Sequence, residues 1–200
     1  MDTNIVKVLK VQNNISIINM LEKAKQNEQK SNIVFLCVGN SKIWYDCFGP
    51  FVGSLIQKLG LEYFVYGNIR SNILLSNIQE YINMIYRFHT NPYIIVLDSS
   101  ISDVLDFDII VKEGATVCGA FSQSPLEVGD MKISCLVPAK EIKSSAGYTK
   151  MLSEIKRIGF FLNHVFGDKS AWFCKVHNIF NKFYAFLQFL HMILIFYAIF

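Results

Sequence analysis

"IVFLCVGNSKIWYDCFGPFVGSLIQKLG", residues 33–60, passes from an oily run through a glycine into an irregular loop and then into a periodic segment. The run 33–39, "IVFLCVG", is continuously apolar, β-branched at its start and stopped by glycine, the habit of a strand covered on both faces of a parallel sheet. Beyond the loop, Val52, Leu55, Ile56 and Leu59 recur at i, i+3, i+4 and i+7. Gly60 follows as a C-cap, so a helix is expected there. One acid, Asp46, lies in the loop between strand and helix, beside Tyr45 and Cys47.

The same alternation continues outward. "YFVYG" (63–67) reads as a short strand, and Ser76 with Gln79 forms a capping box for a helix carrying Ile78, Ile82 and Ile85. "YIIVLDSS" (93–100) is a second buried strand that terminates in Asp98. "DIIVK" (108–112) and "MKISCLV" (131–137) follow as strands, separated by the irregular, glycine-dotted stretch 113–130. A closing amphipathic helix fits 149–166, with Met151, Ile155, Ile158 and Leu162 aligned; another covers 15–26, with Ile15, Ile18 and Leu21 on one stripe. The expectation is an α/β fold, a three-layer α/β/α sandwich with a mostly parallel central sheet. Residues 1–30 form an N-terminal helix and linker, 31–165 the α/β domain and 166–200 a hydrophobic C-terminal tail, expected to be helical.

Of the 200 residues, 52% are hydrophobic and the mean hydropathy is +0.32. The excess lies in "FYAFLQFLHMILIFYAIF", residues 183–200, which carries no formal charge. At about 1.5 Å rise per residue this run just crosses a bilayer core. Lys169, Lys175 and Lys182 before it favour a body kept in the cytoplasm. Alternatively the segment folds back on the domain as a greasy helix. Net charge is only +3, too small and too dispersed for a nucleic-acid footprint. Five cysteines without C-x-x-C spacing, after a start with no apolar signal segment, fit free thiols in a reducing cytoplasm. Cys37 and Cys135 fall in apolar runs and read as core.

Ligand sites in open α/β sheets form beyond the carboxyl ends of the strands. Asp46 and Asp98 both fall there, and neighbouring strands would bring them over one rim. Such a pair can share a proton and activate water, since like charges push their pKa values apart. It can ligate a divalent metal with help from an imidazole or water, or its members can cap helix N-termini. No other cofactor is indicated. A Cys47 nucleophile served by His89 or His164 is a lesser candidate. Trp44 and Tyr45 either stack on a substrate or pack the loop against a helix. Asp103, Asp106 and Asp108 read as a solvated acidic loop. Neither G-x-x-x-x-G-K-[ST] nor G-x-G-x-x-G occurs, so a phosphate cradle is not supported.

The segments "VGNSKIWYDCFGPFVG", "VYGNI", "NPYIIVLDSS" and "GATVCGAFSQSPLEVGDMKI" stand in that order. Together, over roughly residues 31–165, they resemble the YyaC-like family of sporulation proteins. That family is similar to the germination protease of spore-forming bacteria and, in fold, to the hydrogenase maturation proteases. The resemblance implies a peptidase-like α/β/α domain with two acids at the strand ends, as catalysts in one branch and metal ligands in another. By position these acids are Asp46, before the "GP", and Asp98; Gly39, Gly49, Gly67 and Gly129 with Asp130 match turn positions. Where the family's first loop is small and polar, this chain has Ser41, Lys42, Ile43, Trp44 and Tyr45, which narrow the site.

The expected function is an aspartate-dependent peptidase-like protein of sporulation or germination, cleaving a protein substrate. The alternative is a catalytically inactive protein that binds a sporulation partner. The expected location is the cytoplasm of the forespore or spore, with membrane contact through 183–200.

Overall fold

A computed structural model describes residues 3–27, 32–118 and 126–167. Its helices are α1 (Thr3–Lys25), α2 (Phe48–Leu59), α3 (Ile78–Phe88) and α4 (Ser145–Phe166). The strands are β1 (Asn32–Cys37), β2 (Phe64–Tyr66), β3 (Pro92–Ser102), β4 (Asp108–Glu113), β5 (Thr116–Cys118), β6 (Leu126–Val128) and β7 (Met131–Pro138). Five strands form one sheet in the order β2–β1–β3–β7–β4. All its pairings are parallel except β4 with β7, and β5 and β6 make a separate antiparallel ribbon. The expected α/β architecture with a mostly parallel sheet is present.

Strand alternation explains how one apolar run serves two cores. Phe35, Cys37, Ile95, Leu97, Ile133 and Cys135 bury one face of the sheet beneath α1, α2 and α4. Val34, Leu36, Ile94 and Val96 bury the other face with Ile78, Ile82 and Ile85 of α3. Each large side chain so removed from water contributes roughly 1.5–3 kcal/mol. Buried charge ties α4 to the open edge. Arg157 meets Asp108 of β4 at 2.6 Å and Glu154 at 3.1 Å, while Asn13 of α1 donates to the other Asp108 oxygen at 3.0 Å.

Several expectations are corrected. β3 does not end at Asp98; it runs to Ser102, because β7 supplies partners from Ile95 through Ser102 after β1 has stopped at the Cys37–Leu97 pair. The Ser76–Gln79 capping box is not formed. α3 starts one residue later than that box requires, with Asn77 as N-cap, and the Asn77 side chain reaches back to accept from the Leu74 amide at 2.8 Å. α1 turns Ile17, Leu21 and Ala24 into the core and leaves Ile15 56% exposed, so the inward stripe is offset from the one expected. Asp106 and Asp108 are not merely solvated, since Lys150 and Arg157 of α4 hold them. Among the described residues no helix is long and apolar enough to cross a membrane. The apolar run 183–200 lies outside the described residues.

The start of α2 sits directly on the ends of β1 and β3. A Cβ on Gly49 would collide with the backbone carbonyls of Val38 and Leu97, so only glycine permits that approach. Replacing it should push the helix off the sheet and cost roughly 2–3 kcal/mol, the upper part of the range for overpacking. Urea unfolding of Gly49→Ala should show a lower midpoint at unchanged slope. An unaltered midpoint would mean that the helix slides freely on the strand ends.

Candidate active site

The loop leaving β1 is closed by its own backbone. Gly39, at φ +132°, brings the chain so near Asp46 that a Cβ there would strike the Asp46 carbonyl. The next amide, Asn40 N–H, then donates both to the Asp46 carbonyl at 3.1 Å and to its carboxylate Oδ2 at 2.9 Å. A short 3-10 turn, Trp44–Asp46, carries the acid up to the start of α2. Asp46 is not a helix cap: the N-cap of α2 is Cys47, and no side chain bonds the first turn.

Asp98 arrives from β3, at the first position past the last β1 pair. By alternation it projects from the same sheet face as Ile94 and Val96. On the neighbouring strand Lys132 stands in register with Val96, and its ammonium reaches Asp98 Oδ2 at 3.2 Å. Both side chains are about four-fifths buried, 19% and 20% exposed. Ser134, in register with Asp98, lies 3.5 Å from the Ser100 hydroxyl. The sequence reading missed Lys132. Its signal was a lone cation inside the otherwise apolar "MKISCLV", which is hard to place in a buried strand without an anionic partner.

Asp46 feels the charge of Asp98. Burial pushes the Asp46 carboxyl from its ordinary 3.8 up to about 6; the Asn40 amide opposes the rise, and the charge of Asp98 adds to it. Burial raises Asp98 too, against the charge and hydrogen bond of Lys132 and the bond from the Ser99 amide. The pair is thus a desolvated carboxylate clamped by a cation beside a carboxyl that exchanges its proton near neutrality, an arrangement suited to acid/base work on water.

The remaining candidates separate from this pair. Cys47 is fully buried and its thiol donates to the Trp44 carbonyl at 3.0 Å, while burial raises it far above the thiolate range. His89, just before β3 and at the other end of the sheet, is buried and bonded to the Tyr66 hydroxyl at 2.8 Å. His164 lies in the last turn of α4. These placements do not assemble a Cys–His nucleophile. Trp44 packs on Tyr45, on Phe107 and against Gly147 of α4, so it holds the loop to a helix. Among the described residues no group of three or more His, Cys, Asp or Glu could hold a metal ion. A cation between Asp46 and Asp98 would also face the Lys132 ammonium, so the donor set fits a divalent metal poorly.

The profile of the family described as "Protein of unknown function (DUF1256)" matches residues 5–161. The chain belongs to the DUF1256 family. Another protein similar to this DUF1256 chain is the "Uncharacterized protein YyaC" of Bacillus subtilis (strain 168), 32% identical over 108 residues. That match takes in 52% of this chain and 53% of the relative, so the chain spans about half the length of that protein. Among solved structures, a NiFe hydrogenase maturation protease HycI from Thermococcus kodakarensis KOD1 is similar with a TM-score of 0.48 at 17% identity. The superposition covers 72% of this chain and 99% of that one.

An acid whose carboxyl is higher in the folded chain than in the unfolded one weakens the fold where it must ionise. For Asp46 the cost is absent below pH 4, grows between pH 4 and about 6 and is complete above. Allowing for solvent screening, it amounts to about 1–2 kcal/mol. Asp46→Asn should therefore raise Tm at pH 8 by several degrees and leave it nearly unchanged at pH 4, as differential scanning calorimetry would record. A gain of the same size at both pH values would show that burial does not strain this carboxyl.

Proposed function

We propose that the chain is a peptidase-like hydrolase in which Asp46 and Asp98 hold and activate a water against a peptide carbonyl. The observation that carries this reading is the pairing itself: two acids from different strand ends, of which Asp46 is raised to about 6 chiefly by burial and further by the charge of Asp98. In this mechanism Asp98, clamped by Lys132, stays anionic and orients the water. Asp46 takes the proton of that water and later returns it to the leaving amine. The two titrate as a pair, so pH profiles report both together. The substrate is a protein. The setting, sporulation or germination in the cytoplasm of a spore-former, rests on the resemblance to YyaC-like proteins.

A second reading has its own support. The Lys132–Asp98 ion pair and the Trp44 ring packed on α4 suit a site that has traded chemistry for a fixed surface, and a catalytically inactive protein binding a sporulation partner would keep both.

A fluorogenic peptide library incubated with the purified chain separates these readings. Asp46→Asn and Asp98→Asn should each reduce cleavage on the order of 10²-fold or more, the usual worth of a positioned acid or base, with circular dichroism unchanged. Lys132→Met should move the acidic limb of the rate profile to higher pH, because loss of the cation raises Asp98. Undiminished cleavage by both asparagine variants would end the peptidase reading. Absence of cleavage by the intact chain, together with retained capture of a spore protein by all three variants, would establish the binding one.

A further inference from the structure

Strand β3 outlasts its neighbour on one side only. Its backbone groups alternate in direction, as in any parallel ladder. Leu97 faces β1, since its carbonyl accepts from the Val38 amide at 2.8 Å; Ile94 faces β7, where its carbonyl accepts from the Asp130 amide at 2.8 Å. Ser99 and Ile101 therefore turn their amides and carbonyls to the side that β1 has left, while Ser100 and Ser102 keep the ladder to β7. Among the described residues no strand pairs with β3 on that side past Leu97. The loop that folds nearby does not take the place of β1, because it bonds to itself. Its Ile43 amide donates to Asn40, that of Asp46 to Ile43 and that of Asn40 to Asp46. The Ser99 amide is engaged by the Asp98 carboxylate. An acceptor, the Ser99 carbonyl, and a donor, the Ile101 amide, are thus left without a strand beside them.

Those two groups flank Ser100, and they are the pair that a parallel neighbour uses at a residue opposite it. We infer that a substrate peptide adds to β3 here as an extended parallel strand. Its residue opposite Ser100 donates to the Ser99 carbonyl and accepts from the Ile101 amide. The inference rests on the peptidase reading above and gives the form in which the substrate arrives, an extended, unfolded segment rather than a folded surface. About two residues earlier, roughly 7 Å back along the strand, the peptide lies at Asp98. The part held by β3 is therefore the part that follows the cleaved bond. The peptide residue after the one opposite Ser100 comes beside Ile101, whose side chain is 53% exposed, so an apolar side chain is favoured there. Main-chain bonds supply the hold whatever the sequence, and Ile101 adds a preference.

Proline at position 101 removes the donor on the open side and no bond of the β7 ladder, a setting in which a strand tolerates it. The probe is the best-cleaved peptide of the fluorogenic library. Ile101→Pro should lower its kcat/KM about tenfold at unchanged circular dichroism, and Ile101→Ala, which keeps the amide, should lower it less. The intact chain gives an independent reading, which decides alone should the proline variant fail to fold. Backbone esters placed singly at successive positions beyond the cleaved bond each delete one N–H from the peptide. One position, the donor to the Ser99 carbonyl, should lose about tenfold in kcat/KM and its neighbours much less. Cleavage indifferent to every ester overturns the inference, and so does a folded Ile101→Pro chain that cleaves at the full rate; both results leave the acid pair standing. An intact chain that cleaves no peptide ends the peptidase reading and this inference with it.

Discussion

The stagger between β1 and β3 sets up everything at the acidic rim. β1 gives its last pairing at Cys37 with Leu97, while β3 continues for five more residues against β7. On the side that β1 vacates, the chain can turn at Gly39 and bring Asp46 back over the strand ends. On the side that β7 occupies, β3 keeps its backbone satisfied although it has lost a neighbour. A β1 one pair longer would occupy the space into which the loop folds, and Asp98 would become an interior sheet residue with no room for a second acid. The close seat of α2 through Gly49 belongs to the same arrangement, because the helix must start low on the sheet for Asp46, two residues before it, to lie at the rim.

Electrostatics at the rim work against stability. Two acids are desolvated together and only one of them has a cation. A structure optimised for stability alone would place Asn at one position or a second base beside Asp46. The Lys132 clamp offsets part of the conflict, because it favours the charged form of Asp98, although burial still holds that carboxyl above its ordinary range. Asp46, the more accessible loop residue, has the Asn40 amide in its place. Retained strain of this kind is the pattern found where a group must exchange a proton near neutral pH. The contrast with the Asp108–Arg157–Glu154 cluster is instructive. There each acid meets the same guanidinium, and Asn13 takes up a remaining Asp108 oxygen. That cluster gives both of its acids a cation, whereas at the rim Lys132 serves Asp98.

Periodicity made the layers legible. Runs such as 33–38 and 93–97 can bury both faces only in a covered parallel sheet, and Val52, Leu55, Ile56 and Leu59 define the inward face of α2 without help from context. The acids were legible as positions, since both stand where apolar runs give out. Their surroundings were not. The persistence of β3 beyond Asp98 depends on β7, whose approach is a long-range event that no local pattern in "LDSSIS" announces. The offset face of α1 was hidden for a similar reason: Ile15 and Ile17 are chemically equivalent, and only the docking of the helix against α4 and β4 decides which turns inward. Lys132 could have been suspected from its lone charge among apolar neighbours, but its partner is set by register across two strands.

Helix α4 joins the two ends of the molecule. Its first turn carries Gly147, whose missing side chain makes room for the Trp44 ring and so fixes the loop that bears Asp46. Its last turn carries Phe166, packed on Tyr63 and Phe35 at the opposite end of the sheet. At about 1.5 Å per residue the 22-residue helix spans roughly 33 Å, the full height of the sheet, and the Arg157 cluster pins its middle to β4. A rod clamped at its centre and packed at both ends transmits displacement poorly as bending and well as small rigid shifts, because close-packed interfaces do not deform continuously. The loop carrying Asp46 is therefore held by the same element whose far end packs on Phe35 and Tyr63, so the place of Asp46 depends on the seating of α4 as well as on the strands from which the acids emerge.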